Sequence, residues 1–139
     1  MVRKATLSKI CEQFSIDILY AFGSRAQELV RFTQEQLDSL QTSGSDADLG
    51  FKASTHLTMR QKAELTLSLE EFFSIETVDL VDIPQAAPHI AKEIVCGELL
   101  YAKSSHQEAE YQLYIMRRAA DLQYLYRQKE ALALGKPFE

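Results

Sequence analysis

Two short stretches carry the residue types that can do chemistry. Gly44-Ser45-Asp46-Ala47-Asp48-Leu49-Gly50-Phe51 leads into a strand. Asp46 and Asp48, at i and i+2, then point to one face while Ala47, Leu49 and Phe51 point to the other. Two carboxylates side by side repel, and a sheet tolerates them when something cationic sits between them. With no His or Cys close by, the all-oxygen set suits a hard ion such as Mg²⁺. Upstream, Tyr20-Ala21-Phe22-Gly23-Ser24-Arg25 is an apolar strand that stops at a Gly-Ser turn. At the start of a helix, such a turn offers backbone N–H groups, a hydroxyl and a positive dipole end to a phosphate. Arg25, a cation in the first helical turn, opposes that dipole unless it contacts a phosphate. A phosphate cradle beside ion-binding carboxylates is equipment for nucleotide chemistry.

Each part also has a bland reading. Ser is a preferred N-cap and Gly a preferred turn residue, so Gly23-Ser24 alone is a weak signal. Asp46 could be a turn residue after Gly44-Ser45. Asp48 is harder to dismiss, because a strand carboxylate between Ala47 and Leu49 wants a partner. Downstream, Thr77-Val78-Asp79-Leu80-Val81-Asp82 offers further carboxylates. Asp79 and Asp82 are three apart on a strand, so they face opposite ways and cannot both enter one site. Lys52 and Arg60 are second-tier phosphate contacts or solvated faces. His56, His89 and His106 are scattered without ligand spacing.

Taken in order, Gly23-Ser24, Asp46-x-Asp48 and Val78-Asp79-Leu80-Val81 resemble the minimal nucleotidyltransferase family of the polymerase-β-like superfamily. The resemblance implies a nucleotidyltransferase fold of the α/β (α+β) class: a small mixed sheet flanked by helices. It implies Asp46, Asp48 and Asp79 as catalytic metal ligands for two Mg²⁺ ions. Asp79 is preferred to Asp82 because it sits mid-strand as the family pattern has it. Gly23, Ser24 and Arg25 become the nucleotide-binding residues, with ATP as substrate. One departure stands out: positions 25 to 45 separate Ser24 from Asp46, a longer spacer than the family pattern has.

The elements that must position these residues follow from periodicity. Leu7, Ile10, Cys11 and Phe14 predict a helix over 6–14, and Ile16 to Phe22 a strand buried on both faces. Asp17 reads as a solvated strand end. A helix is predicted over 24–40, with Leu29, Phe32, Leu37 and Leu40 inward, then a loop to Ser45 and the carboxylate strand over 46–52. A helix over 58–73, capped by Thr58 or Ser54, precedes a strand over 76–83 that Pro84 ends. A helix over 86–95, a Gly97 stop and a strand over 99–102 lead to one long helix over 105–134. The catalytic domain is thus expected over 1–103, with a C-terminal helix over 104–139.

Composition bounds the function. The chain of 139 residues suits one catalytic domain with a real core, and 46% hydrophobic with 25% charged residues is ordinary for a globular protein. A net charge of −5 argues against general nucleic-acid binding. Cys11 and Cys96 have no metal spacing and suit a reducing cytoplasm as buried thiols. No apolar run spans a membrane, and no signal peptide opens the chain. A cytoplasmic protein is expected.

The final helix carries Tyr111, Tyr114, Tyr124 and Tyr126. Either one stripe packs on the domain and the rest is surface, or the helix binds a partner, since Tyr, Met and Arg are enriched at interfaces. This organisation resembles the MntA-type antitoxins of HEPN–MNT toxin–antitoxin pairs. The resemblance implies AMPylation of a tyrosine on a HEPN ribonuclease toxin, in a hetero-oligomer. The alternatives are a small-molecule nucleotidyltransferase, for instance one acting on an aminoglycoside, and a binding-only antitoxin with a vestigial site.

Overall fold

The computed structural model describes residues 2–41, 44 and 46–135. Ser45, expected in the loop before the carboxylates, lies outside them. Strand β1 (Ile16–Phe22) pairs antiparallel with β2 (Ala47–Ala53) on one side and with β4 (Glu98–Ala102) on the other; β2 pairs parallel with β3 (Val78–Asp82). The sheet order is β3-β2-β1-β4.

Because β1 is central, its alternating side chains feed two cores, as its unbroken apolar run predicts. Leu19 and Ala21 join Leu49, Phe51 and Leu80 under α1 (Val2–Gln13), α2 (Ala26–Thr33) and α3 (Met59–Phe73). On the opposite face, Ile18 and Tyr20 pack with Ile83, Ala91, Ile94, Val95 and Ile115, the last five coming from a 3₁₀ turn (Ile83–Gln85), α4 (Pro88–Val95) and α5 (Ser105–Ala133). The element order is the predicted one, a mixed α/β fold with a long C-terminal helix. Thr58 is the cap of α3: its hydroxyl accepts from the Gln61 amide while its own amide donates to Gln61 Oε1.

Three expectations fail locally. The predicted helix over 24–40 stops at Thr33, because Glu35 turns to a φ of 61° and Arg3 captures the carbonyls that further turns would have used. Its guanidinium donates to Phe32 O at 3.0 Å, to Leu37 O and to Asp38 O at 2.8 Å, and stacks 3.9 Å from the Phe32 ring centre. Leu40 still reaches the core, at 7% exposure, from a loop. Asp17 is no solvated end: it is 5% exposed, accepts from Ser54 Oγ at 2.6 Å and pairs with Lys52 at 3.4 Å. A central strand has neighbours covering its first residues as well as its last. Cys11 is buried, whereas Cys96, at the end of α4, is exposed.

The first half of α5 is tied to the domain. Tyr20 donates its hydroxyl to Glu108 at 2.8 Å, Gln112 Nε2 donates to Val95 O at 2.9 Å, and Ile115 is buried. Further along, Tyr124, Leu125, Tyr126 and Leu132 are exposed. Among the described residues no helix is long and apolar enough to cross a membrane.

Candidate active site

Strand register builds the site. Phe22 of β1 stands opposite Asp48 of β2, and Asp48 stands opposite Asp79 of β3. Registered neighbours share a face, so one row across the sheet runs Phe22, Asp48, Asp79. That row lies where β1 ends and β2 and β3 begin, on the face covered by α4 and α5. Asp46 immediately precedes β2 and is exposed, as is Asp79; Asp48 is half-buried between them. Asp82 pairs in register with Phe51, at the far end of β3, and lies 3.9 Å from His56. Asp79, not Asp82, therefore stands beside Asp48.

The Gly-Ser turn closes on the same row. Gly23 has a φ of 76°, a conformation open to glycine and strained for other residues. A Cβ placed there would sit 2.5 Å from Asp48 Oδ2. The turn's main chain thus lies against the Asp48 carboxylate, with exposed Ser24 next to it. The helix begins two residues later than expected, with Arg25 as N-cap and Ala26 as its first residue.

Charge is crowded here. The Asp48 carboxyl is held above the usual carboxylate range, first by burial, then by the negative charges of Asp79, Asp46 and Glu93. Among the described residues, no salt bridge reaches Asp46, Asp48 or Asp79. Nor do these residues close into a ready group of three ligands. Rotation of the exposed Asp46 and Asp79 side chains toward Asp48 is a fast, low-barrier motion. An all-oxygen donor set that repels itself and lacks a basic side chain fits a divalent cation with Mg²⁺-like preferences.

Glu93 was not a sequence candidate. Gly50 shares the Asp48 face, and a Cβ on it would strike Ile94, so α4 rests directly on the β2 backbone and brings Glu93 within electrostatic reach of Asp48. A glycine inside a strand signals such close approach, and was the available clue. Arg25 was expected at a phosphate. Its guanidinium donates to Glu28 at 2.9 and 3.3 Å and to Gln41 O at 2.7 Å, and the residue is 9% exposed. A first-turn glutamate and a main-chain carbonyl are thus among the partners of this cation. Lys52 is likewise engaged, with Asp17.

Residues 5–106 match the family model described as polymerase beta, nucleotidyltransferase. Among curated proteins, none matches the chain. Solved structures share the fold. A mutant MntA–HpeT toxin–antitoxin aligns at a TM-score of 0.63 and 19% identity, covering 94% of this chain and 93% of that one. A toxin–antitoxin with AMP-PNP aligns at 0.61 and 20%, covering 94% of each. A tri-AMPylated Shewanella oneidensis HEPN toxin in complex with MNT antitoxin aligns at 0.60 and 19%, covering 96% and 92%.

Proposed function

The chain belongs to the polymerase beta nucleotidyltransferase family, and from that membership we propose that it is the antitoxin of a type VII-like toxin–antitoxin pair. It transfers AMP from ATP to a tyrosine hydroxyl of a cognate HEPN ribonuclease toxin and so neutralises it in the cytoplasm. The observation that carries the reading is the row of Asp48 and Asp79 against the Gly23 turn. The HEPN partner and the AMP group are supported by the solved toxin–antitoxin structures of like fold.

In this reading Gly23 and Ser24 offer main-chain N–H groups and a hydroxyl to the β- and γ-phosphates, which aligns the α-phosphorus. Asp46 and Asp48 would hold one Mg²⁺ ion, and Asp79 would help hold a second. Bound Mg²⁺ would neutralise the attacking and leaving oxygens of an in-line displacement. The tyrosine oxygen forms the bond to the α-phosphorus, the bond to the bridging oxygen breaks, and pyrophosphate leaves. Asp79, beside the acceptor, takes the hydroxyl proton or orients its departure. The second half of α5, with exposed Tyr124, Leu125, Tyr126 and Leu132, is the surface offered to the toxin.

The test is intact-mass spectrometry of a HEPN protein encoded beside this chain, co-expressed with wild type and with Asp46→Ala/Asp48→Ala. One or more added AMP masses, lost with the double variant, are expected. Undiminished neutralisation with no added mass from either chain would leave a binding-only antitoxin.

A further inference from the structure

We propose that a second copy of this chain is itself an acceptor: the hydroxyl of Tyr114 on α5 takes AMP from ATP held in the carboxylate site of another copy. The proposal rests on the reading that the site transfers AMP to tyrosine, and extends it to a new acceptor.

An acceptor tyrosine needs an open hydroxyl, a fixed direction and a cation near the oxygen that attacks phosphorus. Tyr20 is 1% exposed and gives its hydroxyl to Glu108, while Tyr101 and Tyr111 are half-buried. Burial pushes the hydroxyls of all three up, so they yield the attacking phenolate less readily. Tyr124 and Tyr126 lie on the half of α5 read above as the toxin's surface. Tyr114 remains, at 52% exposure. It stands on the docked half of α5, between Gln112, which donates to Val95 O at 2.9 Å, and buried Ile115. The helix is therefore fixed where Tyr114 leaves it. The Tyr114 ring lies 6.1 Å from that of Tyr111. Arg118, one turn on, donates from Nη1 to the Tyr114 hydroxyl at 3.5 Å and sets its guanidinium 5.7 Å from the ring centre.

Charge selects the pairing. The row of Asp46, Asp48 and Asp79, with Glu93 in reach, is acidic. Around Tyr114 the balance is opposite. Exposed Arg117 and Arg118 follow it at i+3 and i+4, and Glu110 at i−4 is engaged by His106 at 2.9 Å. A basic patch on one copy facing the acidic site of another speeds their encounter and sets its orientation. Within one chain, no hydrogen bond or ion pair among the described residues joins Tyr114 or Arg118 to the row, and Gln112 and Ile115 hold that stretch of α5 to the domain. Transfer therefore runs between copies. The Tyr114 oxygen forms the bond to the α-phosphorus, the bond to the bridging oxygen breaks, pyrophosphate leaves, and the phenol proton passes to Asp79 of the site. Arg118 meets the charge on the phosphoryl oxygens as the phenol attacks.

The test uses the purified full chain with ATP and Mg²⁺, read by intact mass and peptide mapping. Wild type should gain an AMP mass on the peptide carrying Tyr114. Tyr114→Phe should gain none while still modifying the HEPN protein encoded beside this chain. Mixing fixes the direction: the Asp46→Ala/Asp48→Ala chain, which cannot transfer, should acquire AMP at Tyr114 when mixed with the Tyr114→Phe chain. Arg118→Gln should slow self-transfer by about tenfold or more, and Arg118→Lys by less. Wild-type chain that stays free of AMP while the HEPN protein acquires it would overturn the proposal. So would AMP on a residue other than Tyr114, or an unmodified acceptor chain in the mixture. AMP on neither protein would overturn the transferase reading, and the proposal with it.

Discussion

Asp48 is where the chemistry and the stability of the chain pull against each other. Its carboxyl is raised first by burial, then by Asp79, Asp46 and Glu93, so the folded chain keeps its proton to higher pH than the unfolded chain does. A raised carboxylate contributes stability that is full below the unfolded pKa and lost as pH rises through the folded one. Above that window the ionised group is a burden that a bound cation relieves. Asp48→Asn should therefore raise Tm by a few degrees in chelator at neutral pH, gain nothing from added Mg²⁺, and reduce nucleotide transfer to background. A thermal melt with and without Mg²⁺ checks this, and a variant no more stable than wild type in chelator would refute it. Gly23 makes a steric prediction at the same site. Gly23→Ala adds backbone strain of about 1–2 kcal/mol and drives a methyl into Asp48 Oδ2, the mobile end of that side chain. The chain should fold while transfer falls by about tenfold or more; unimpaired transfer would show that the turn and the carboxylate do not act together.

At the scale of elements, a clear case for a cap and a failure of periodicity sit one strand apart. The capping box of Thr58 and Gln61 is written in four consecutive residues, and the start of α3 follows it. Thr58→Ala should cost about 1 kcal/mol, which for a chain of this size lowers Tm by roughly 2–4 °C. Transfer should be unchanged, because α3 lies on the face away from Asp48; loss of activity matching the loss of stability would contradict that separation. The spacer after α2 was read as one helix over 24–40 because Leu29, Phe32, Leu37 and Leu40 recur at roughly helical spacing. The helix ends at Thr33 because Arg3, far off in sequence, binds the carbonyls of Phe32, Leu37 and Asp38. Local propensity is a weak prior, and a tertiary hydrogen bond overrides it. Glu93 was missed for the same reason: its place depends on α4 settling on Gly50.

Across the whole molecule, α5 divides the chain's labour. Its first half belongs to the domain through Glu108, Gln112 and Ile115, and its second half leaves Leu125, Tyr126 and Leu132 exposed. A chain ending at residue 120 should melt within a few degrees of wild type, since residues 121–135 are largely exposed. It should lose the HEPN protein proposed as its partner in co-purification. Retention of the partner would move the docking surface onto the domain itself.

The sequence by itself determined the order of elements, the mixed α/β class, a first strand buried on both faces, and the identity of Gly23, Asp46 and Asp48 as site candidates. These are local quantities, set by alternation, turn chemistry and carboxylates at i and i+2. Asp79 was preferred to Asp82 from its place in the motif; the tertiary structure decided the register that sets it beside Asp48, and with it Glu93 at the edge of the row, Asp17 buried and Arg25 turned to Glu28 and Gln41. Each of those depends on strand register or on a contact between residues distant in the chain. A parallel pairing fixes which carboxylates meet, and no single strand carries that information.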